Sequence, residues 1–520
     1  MGDIMRPVPF KELIRRIFQE YAAQKSVFGI PSLHFFKKQN DKRITAFNDQ
    51  CDTPMGPAAG PHTQMAQNIV ASYLAGGRFM ELKTVQKLDS LEIDKPCIDA
   101  RDEGYNTEWS TEFSLEKAYD EYIKAWFVLH LLEEVFETRL SDEKRSFIFN
   151  MSVGYDLEGI KTPKMDYFIN SMIDASEHPL YAQYKQELQE LINNAQAGDS
   201  SGVAGGFLRG TGLEDRLGAL VDLADRIPAE ISPSVTLSTM HGCPPDEQEA
   251  ICTYLLTEKK IDTYLKMNPT LLGYDRVREI LDGLGYTYLH LSRDSFAHDL
   301  KYDDAVGMVQ RLMKLAKDNS KIFGAKLSNT LGSINDQGQL PGDDMYMSGR
   351  ALYPLTINLA AKLSEEFKGK LPISYAGGAT AFNVDGIFSA GIRPITVATD
   401  LLKPGGYMRL KEMALKTEAS DGWSASSVDV EKVKNMAREA LQADYSCKDF
   451  RGTDRISTGE PLPMFDCYVA PCRTACPINQ DVPEYIRLAG EGRYAEALDV
   501  IYERNALPNI TGYICDHQCM

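Results

Sequence analysis

The sequence lacks long apolar runs and has a deficit of positive charge. No stretch of about 18 or more consecutive apolar residues occurs in its 520 residues, which argues against a transmembrane helix. The amino terminus, MGDIMRPVPFKELIRRIFQEY, is typical of an amphipathic helix and not of a secretory signal. Lys and Arg number 56 against 74 Asp and Glu, a net charge of −18. Because an acidic surface repels phosphate, we expect no nucleic-acid partner. The lack of a signal and of a membrane-spanning run predicts a cytoplasmic protein without a membrane partner.

Cysteine is scarce over most of the chain and is concentrated near its end. There are ten cysteines, and five of them lie between residues 467 and 519. Cytoplasmic thiols stay reduced, so a cluster of them favours metal binding over disulfide bonds. Four of the others, Cys51, Cys97, Cys252 and Cys447, have the scattered placement of packing or incidental residues.

The middle of the chain alternates short β-rich runs with helix-period stretches, from about residue 44 to 410. This alternation predicts parallel βα units, either a (β/α)8 barrel or an open doubly wound sheet. Nine candidate strands occur, at residues 53–59, 79–83, 147–152, 235–239, 263–268, 286–291, 323–328, 373–376 and 395–399. We favour the barrel, because polar residues suited to chemistry recur at the carboxyl ends of many successive strands. One of the nine must then be misassigned, and the doubtful ones lie between residues 235 and 328.

The carboxyl-terminal cysteines have the spacing Cys467-x4-Cys472-x3-Cys476-Pro477, followed by helix-like residues and Cys515-x3-Cys519. Short thiolate ladders of this kind let several sulfurs converge on one iron–sulfur cubane, and a proline after a ligand turns the chain away from it. Zinc sites favour C-x2-C pairs, which these spacings fit poorly. Unpaired structural cysteines are the remaining alternative.

The cysteine region, CYVAPCRTACPINQDVPEYIRLAGEGRYAEALDVIYERNALPNITGYIC, resembles the iron–sulfur domain of the glutamate synthase small subunit and of dihydropyrimidine dehydrogenase. The resemblance implies that Cys476, Cys515 and Cys519 share one [4Fe–4S] cluster. Cys467 and Cys472 would belong to a second, which is short of ligands because Met464 stands where the family has a cysteine. It also implies a longer protein, whose missing carboxyl-terminal half binds FAD and NADPH.

Polar and glycine residues at the predicted strand ends form a second candidate site. A buried lysine can stabilise the anionic edge of a reduced flavin, asparagine amides can bond to ring or substrate amides, and glycine amides before a helix can bind phosphate. These candidates are Lys83, Asn150, Lys266, Lys326, Asn329, Gly377 and Gly378.

The segments GPAAG…ELKT, SGRALYPL and AGGAT resemble the dihydroorotate dehydrogenase-like FMN barrel, over residues 44 to 410. The resemblance implies that Lys83 is the second-strand flavin lysine and that Gly377 and Gly378 meet the FMN phosphate. Either Lys266 or Lys326 would be the fifth-strand lysine. Asp400 departs from the family pattern: an ionised carboxylate beside a phosphate would be repulsive, which weighs against FMN in the barrel.

The segment TLSTMHGCPPDEQEA places Cys243 in a strand-to-helix turn. In related FMN barrels a loop Cys or Ser acts as the acid or base opposite hydride delivery, and Cys243 is our candidate for that role. The alternative is a buried turn thiol without chemistry.

The order of barrel and iron–sulfur segment, with TLSTMHGCPP and GGYMRLKEM, is similar to the selenate reductase iron–sulfur flavoprotein subunit family. The resemblance implies an NADPH-linked oxidoreductase that passes electrons through clusters to a small molecule, either a purine- or pyrimidine-like heterocycle or selenate. It also implies other redox subunits as partners. The alternative is a barrel without FMN that docks a partner redox enzyme.

These inferences predict four parts of the chain. Residues 1–43 are an amino-terminal helical extension, and residues 44–420 are the barrel, with insertions at 91–145 and 193–212. The first insertion is acidic and helical, and the second is a Gly-rich loop. Residues 421–460 are a linker with a helix, and residues 461–520 are a helical iron–sulfur domain that is incomplete at its carboxyl end.

Overall fold

Eight parallel strands close around the centre of the molecule in the computed structural model. They are β1 (Met55–Pro57), β2 (Phe79–Glu81), β3 (Ile148–Gly154), β4 (Ser234–Ser238), β5 (Asp262–Met267), β6 (Phe323–Leu327), β7 (Ile373–Tyr375) and β8 (Ile395–Val397). Their hydrogen-bonded order is β1-β8-β7-β6-β5-β4-β3-β2, so each strand lies beside its neighbours in the chain. Every residue of β3 is buried, as expected for a parallel strand covered on both faces. The predicted (β/α)8 barrel is confirmed.

The structure describes residues 5–87, 93–107, 111–139, 145–154, 156–197, 206–239, 243–338, 340–450, 470, 472–473 and 476–515. The α-helices in these ranges are Phe10–Gln24, Ala66–Leu74, Leu115–Phe136, Leu157–Ile160, Pro163–Ile173, Pro179–Gln196, Leu223–Arg226, Pro245–Thr257, Tyr274–Gly283, Arg293–His298, Tyr302–Asp318, Tyr353–Glu366, Val384–Ser389, Met408–Ala419, Val430–Ala440, Val482–Gly490, Tyr494–Tyr502 and Pro508–Ile514. Over the described part of the chain, no helix combines the length and the hydropathy that a membrane crossing needs.

The barrel closes between β1 and β2 through a close backbone approach. The Arg78 N–H donates to the Met55 carbonyl at 2.8 Å. A Cβ atom added to Gly56 would lie 1.6 Å from the Phe79 carbonyl oxygen, so only glycine fits at this position.

One of the nine predicted strands, at residues 286–291, is wrong. The chain there is a loop between helices Tyr274–Gly283 and Arg293–His298. Tyr286, Leu289 and Leu291 are buried in a second, smaller core beside the barrel, and this burial explains the apolar run. A short apolar run predicts burial, but periodicity alone does not show that it pairs as a strand.

The insertion at residues 91–145 contains the predicted helix, Leu115–Phe136, but also two strands that the sequence did not indicate. Strands Ile98–Asp99 and Gly104–Asn106 join Leu331–Ile334 and Asp344–Ser348 in an antiparallel sheet, which we call the cap sheet. Within the second insertion, residues 198–205 lie outside the described residues.

The two ends of the chain pack onto the barrel. Helix Phe10–Gln24 buries one apolar face in the same core as the barrel helices, which agrees with the predicted amphipathic helix. Two short antiparallel pairs follow it, Ser26–Val27 with Ile30–Pro31 and Ile44–Ala46 with Asp49–Cys51. Near the other end, helix Val430–Ala440 packs on Tyr353–Glu366.

We expect Gly56→Ala to destabilise the barrel, because the new methyl group would collide with the backbone of β2. Overpacking of this kind costs roughly 1–3 kcal/mol or more. Urea unfolding of the intact protein measures the loss. Gly218→Ala is the matched control, because an added Cβ there meets nothing within 4 Å. Equal unfolding midpoints for the two variants would contradict the close approach of β1 and β2.

Candidate functional site

A deep cavity opens at the carboxyl ends of the barrel strands. Its walls come from the segments that follow β1, β2 and β5 to β8, and from the cap sheet. Glu491, from the segment after helix Val482–Gly490, also lines it. The cavity therefore lies where (β/α)8 enzymes place their active sites.

Three lysines and one glutamate form the floor of the cavity. Lys83, Lys266 and Lys326 line it, and Glu81 lies among them. The Lys326 ammonium forms an ion pair with Glu81 and donates to Thr396 Oγ1 at 2.7 Å. The Ala59 N–H also donates to Glu81, at 3.2 Å. Three ammonium groups around one carboxylate make the floor electropositive.

The charges on this floor are strongly coupled. Burial acts to raise the pKa of Glu81, but the adjacent Lys326 and Lys266 outweigh it and lower that pKa, so Glu81 stays ionised. Burial lowers the pKa of Lys266 to about 8; the neighbouring Lys326 and Lys83 act in the same direction and Glu81 opposes them. Burial also lowers the pKa of Lys326, against the attraction of Glu81. Lys266 therefore changes charge close to physiological pH.

The structure distinguishes the two lysines that the sequence left open. Lys266 lies on β5, the fifth barrel strand, and Lys326 lies on β6. The Lys266 side chain is half-buried, whereas Lys326 is buried and bonded to Glu81. Lys266 is thus the lysine on the fifth strand and the more exposed of the two.

One wall of the cavity consists of small residues and the rim is aromatic. Small residues line the wall, among them Ala58, Ala59 and Ala376. At the rim, Phe382 stacks on Tyr445 with ring centroids 5.5 Å apart and packs edge-on against Phe450. Phe382 is 49% exposed, so its ring offers apolar surface that a ligand in the cavity can cover. These features suit a planar ligand.

The adjacent Gly377 and Gly378 have packing reasons to be glycine. A Cβ on Gly377 would lie 1.9 Å from Thr356 Oγ1, and one on Gly378 would lie 2.5 Å from the Gly349 carbonyl oxygen. Gly378 also has a φ of +73° and lines the cavity. The pair thus lets the loop after β7 lie against its neighbours.

Asp400 is not the isolated carboxylate that the sequence suggested. Its Oδ1 accepts a hydrogen bond from Arg409 Nη1 at 2.9 Å, so its charge is compensated. Beside it, Thr399 and Ser348 share a hydrogen bond of 2.7 Å between their hydroxyls. This end of the cavity therefore offers a guanidinium that is already bonded to a carboxylate, and two hydroxyls that are bonded to each other. The lysines at the floor would suit the ring of a flavin, whereas Asp400 weighs against a phosphate at this end.

The two asparagine candidates have different surroundings. The Asn150 side chain donates to Thr236 Oγ1 and accepts from Ser234 Oγ, both at 2.8 Å, so its amide links neighbouring barrel strands. Asn329 lines the cavity, and its Oδ1 accepts from the Thr330 N–H at 3.0 Å. Asn329 can contact a ligand, whereas Asn150 supports the strands.

Cys243 follows β4 and precedes helix Pro245–Thr257, outside the residues that line the cavity. Burial and the nearby Glu247 and Asp246 raise the pKa of its thiol to about 11. The thiol is therefore protonated at pH 7, which is the state that a proton donor requires. A catalytic role for Cys243 stays a prediction.

Among the predicted cluster cysteines, Cys472, Cys476 and Cys515 are described, and Cys467 and Cys519 lie outside the described residues. The Cys476 N–H donates to the Cys472 carbonyl at 3.2 Å, so the backbones of these two residues are adjacent. Sulfur donors suit an iron–sulfur cluster better than a hard cation.

Sequence reasoning missed Glu81, the aromatic rim and Arg409. The sequence does contain a signal for Glu81. It stands two residues before Lys83 in the predicted strand 79–83, and alternate side chains of a strand share one face. The rim and Arg409 come together only through the fold, so the sequence alone gave no signal for them.

Residues 28–448 match the family described as oxidoreductase YgfK, N-terminal TIM-barrel domain. Residues 462–520 match dihydropyrimidine dehydrogenase domain II, 4Fe-4S cluster. A dihydroorotate dehydrogenase from Eimeria tenella in complex with ferulenol has a TM-score of 0.40 and 12% identity, covering 86% of this chain and 96% of that one.

One relative matches the whole chain, and a second matches a short part of it. Oxidoreductase YgfK of Escherichia coli (strain K12) is 59% identical over 519 residues, which are 100% of this chain and 49% of the relative. The glutamate synthase [NADPH] small chain of Azospirillum brasilense is 39% identical over 82 residues, 16% of this chain and 17% of the relative. The chain therefore spans about half the length of the relative that it matches throughout. It belongs to the YgfK oxidoreductase family and carries that family's barrel together with a 4Fe-4S domain.

Proposed function

We propose that this chain is the acceptor-reducing part of an NADPH-linked iron–sulfur oxidoreductase. Electrons from NADPH, taken up by FAD in the half of the protein that this chain does not span, pass through [4Fe–4S] clusters to a planar, anionic small molecule in the barrel cavity. The observation that carries the proposal is the cavity floor, where three lysines surround the single carboxylate of Glu81.

The shape of the cavity favours a heterocycle over an inorganic oxyanion. A tetrahedral anion such as selenate would gain from the lysines but would leave the apolar surface of the alanines and the exposed Phe382 uncovered. A purine- or pyrimidine-like ring with carbonyl groups uses all three features, because its face covers apolar surface and its anionic edge meets the lysines. We therefore propose a planar heterocycle of this class as the acceptor.

Different residues of the chain position the floor, bind the ligand and donate a proton. When bound, the clusters supply electrons one at a time. The Glu81–Lys326 pair fixes the floor, and Lys83 attracts the anionic edge of the ligand. Lys266 Nζ, which is half-buried and whose pKa is about 8, holds a proton that it can give to the ring as negative charge develops there.

A docking module is the second candidate function, and the Asp400–Arg409 pair favours it. The resemblance to FMN barrels implies a phosphate at this end of the cavity, where Arg409 is instead bonded to the Asp400 carboxylate, and this weighs against FMN. Flavin extraction and ligand binding on the full-length protein separate the two functions. Under our first proposal the protein releases FAD and binds at least one of orotate, xanthine and urate. A docking module releases FAD and binds none of the three.

We expect Lys266→Met to weaken binding of the planar anion by roughly 10- to 100-fold below pH 8, because a charge-assisted hydrogen bond is lost. The pKa of Lys266 is lowered to about 8, so the wild-type protein itself loses this charge, and hence affinity, as pH rises through 8. The variant should show no such step. Isothermal titration calorimetry from pH 6.5 to 9.5 measures both effects.

Lys434→Met is the matched control for this titration, because Lys434 is an exposed lysine that pairs with Glu365 at 2.7 Å on the barrel surface. It should bind the ligand as the wild type does at every pH. A pH step of the same size in the Lys266→Met protein would rule out Lys266 as the titrating group.

Substituting one cluster ligand should cause the loss of a complete [4Fe–4S] cluster. We expect anaerobically purified Cys476→Ser protein to lose about four iron atoms per chain, with a matching loss of absorbance near the visible cluster bands. Cys447→Ser is the control, since the Cys447 thiol lies near the Ala443 carbonyl and outside the cysteine motif. Wild-type iron content in the Cys476→Ser protein would contradict its role as a ligand.

A further inference from the structure

A network of ion pairs joins the carboxyl-terminal helices to the barrel. Glu412, on barrel helix Met408–Ala419, accepts from Arg487 at 2.7 Å and from Arg493 at 2.5 Å. Arg487 belongs to helix Val482–Gly490, and Arg493 follows that helix. One barrel carboxylate therefore binds two arginines of the 4Fe-4S segment.

Arg487 is the centre of this network. It is only 5% exposed, and besides Glu412 it binds Glu484 at 2.7 Å and Glu491 at 3.1 Å. Burial opposes its charge, but the surrounding carboxylates outweigh burial and raise the pKa of Arg487. A buried guanidinium with carboxylates on several sides is fixed in place, because losing one partner leaves a charge uncompensated.

The barrel backbone is shaped to receive Arg487. Gly405 has a φ of +95°, and a Cβ atom added there would lie 2.6 Å from Arg487 Cδ. Any larger residue at position 405 would push the guanidinium away from Glu412. The loop after β8 and the carboxyl-terminal helix thus fit each other closely.

The network extends into the cavity. Arg409, which binds Asp400 at 2.9 Å, lies 4.0 Å from the Glu491 carboxylate. Asp400, Arg409 and Glu491 all line the cavity. The same contacts that hold the carboxyl-terminal helices thereby complete one side of the site.

We propose that the carboxyl-terminal helices form a wall of the barrel cavity, held by Glu412 and Arg487, so that docking of the 4Fe-4S segment and order at the cavity mouth depend on each other. Glu412 and Arg487 are positioning residues under this proposal. Because coupling between two sites is reciprocal, anything that loosens the docked helices also loosens the cavity lining. The proposal does not depend on the identity of the electron acceptor.

Hydrogen–deuterium exchange on the intact, cluster-loaded protein tests this proposal. The variants are Glu412→Gln, Arg487→Met and the double substitution. We expect each single substitution to raise exchange at least tenfold in peptides covering residues 482–502, and severalfold in the cavity-lining residues 58–64. Because both substitutions break one shared network, the double variant should exchange no faster than the more affected single variant.

Two comparisons keep the result interpretable. Peptides covering β3 report whether the barrel is still folded, and their exchange should stay at the wild-type rate. Glu249→Gln breaks an exposed ion pair with Arg311 on the barrel surface and should match the wild type throughout. If Glu412→Gln unfolds the barrel, Arg493→Gln is the substitute variant. It removes the Arg493–Glu412 ion pair but keeps the Arg487–Glu412 pair, so exchange should rise in the same peptides by a smaller factor.

Two outcomes would overturn the proposal. In the first, exchange rises in residues 482–502 while residues 58–64 and 398–409 keep the wild-type rate, so that the helices are not a wall of the cavity. In the second, the effects of Glu412→Gln and Arg487→Met add in the double variant, so that the two residues act independently.

Discussion

The buried charge at the carboxyl ends of the strands is the constraint on which the site depends. Placing three ammonium groups among apolar strands is costly, and a single carboxylate, Glu81, offsets part of that cost. The barrel keeps this arrangement because Lys326 is bonded to both Glu81 and Thr396, which removes its freedom to reach solvent. Lys83 and Lys266 also line the cavity, so their charge acts on any ligand that enters it. An apolar floor would make the barrel easier to fold but would leave it without this attraction for anions.

The elements that the sequence predicted are those whose signal is local. Eight of nine strand candidates are barrel strands, because a buried parallel strand is a short apolar run bounded by turns. The floor lysines were predicted for a related reason. A charged side chain at the end of such a run is expected to face the cavity, because the surrounding core is apolar. Residues 286–291 show the limit of this reasoning, since their side chains are buried beside the barrel and no strand forms.

The features that the sequence did not reveal depend on contacts between distant segments. The cap sheet pairs Tyr105 with Met347, and strands of two to five residues have too little pattern to be recognised alone. Asp400 illustrates the same limit for electrostatics. From the sequence it is a lone carboxylate near an expected phosphate, whereas in the structure Arg409 reaches it from the next helix. A charge can be judged only once its partner is known.

Asp400 and Arg409 also connect the chemistry of the cavity with the architecture of the chain. In a barrel that binds a phosphate after its last strand, this position needs small residues and uncommitted amides. Here a carboxylate and a guanidinium neutralise each other and face Glu491 of the 4Fe-4S segment. Arg409 thus connects the end of the cavity with the 4Fe-4S segment. Positive charge is concentrated at the floor, whereas Asp400 and Arg409 balance each other, so the proposed anionic ring would gain more from contact with Lys266 than from contact with this ion pair.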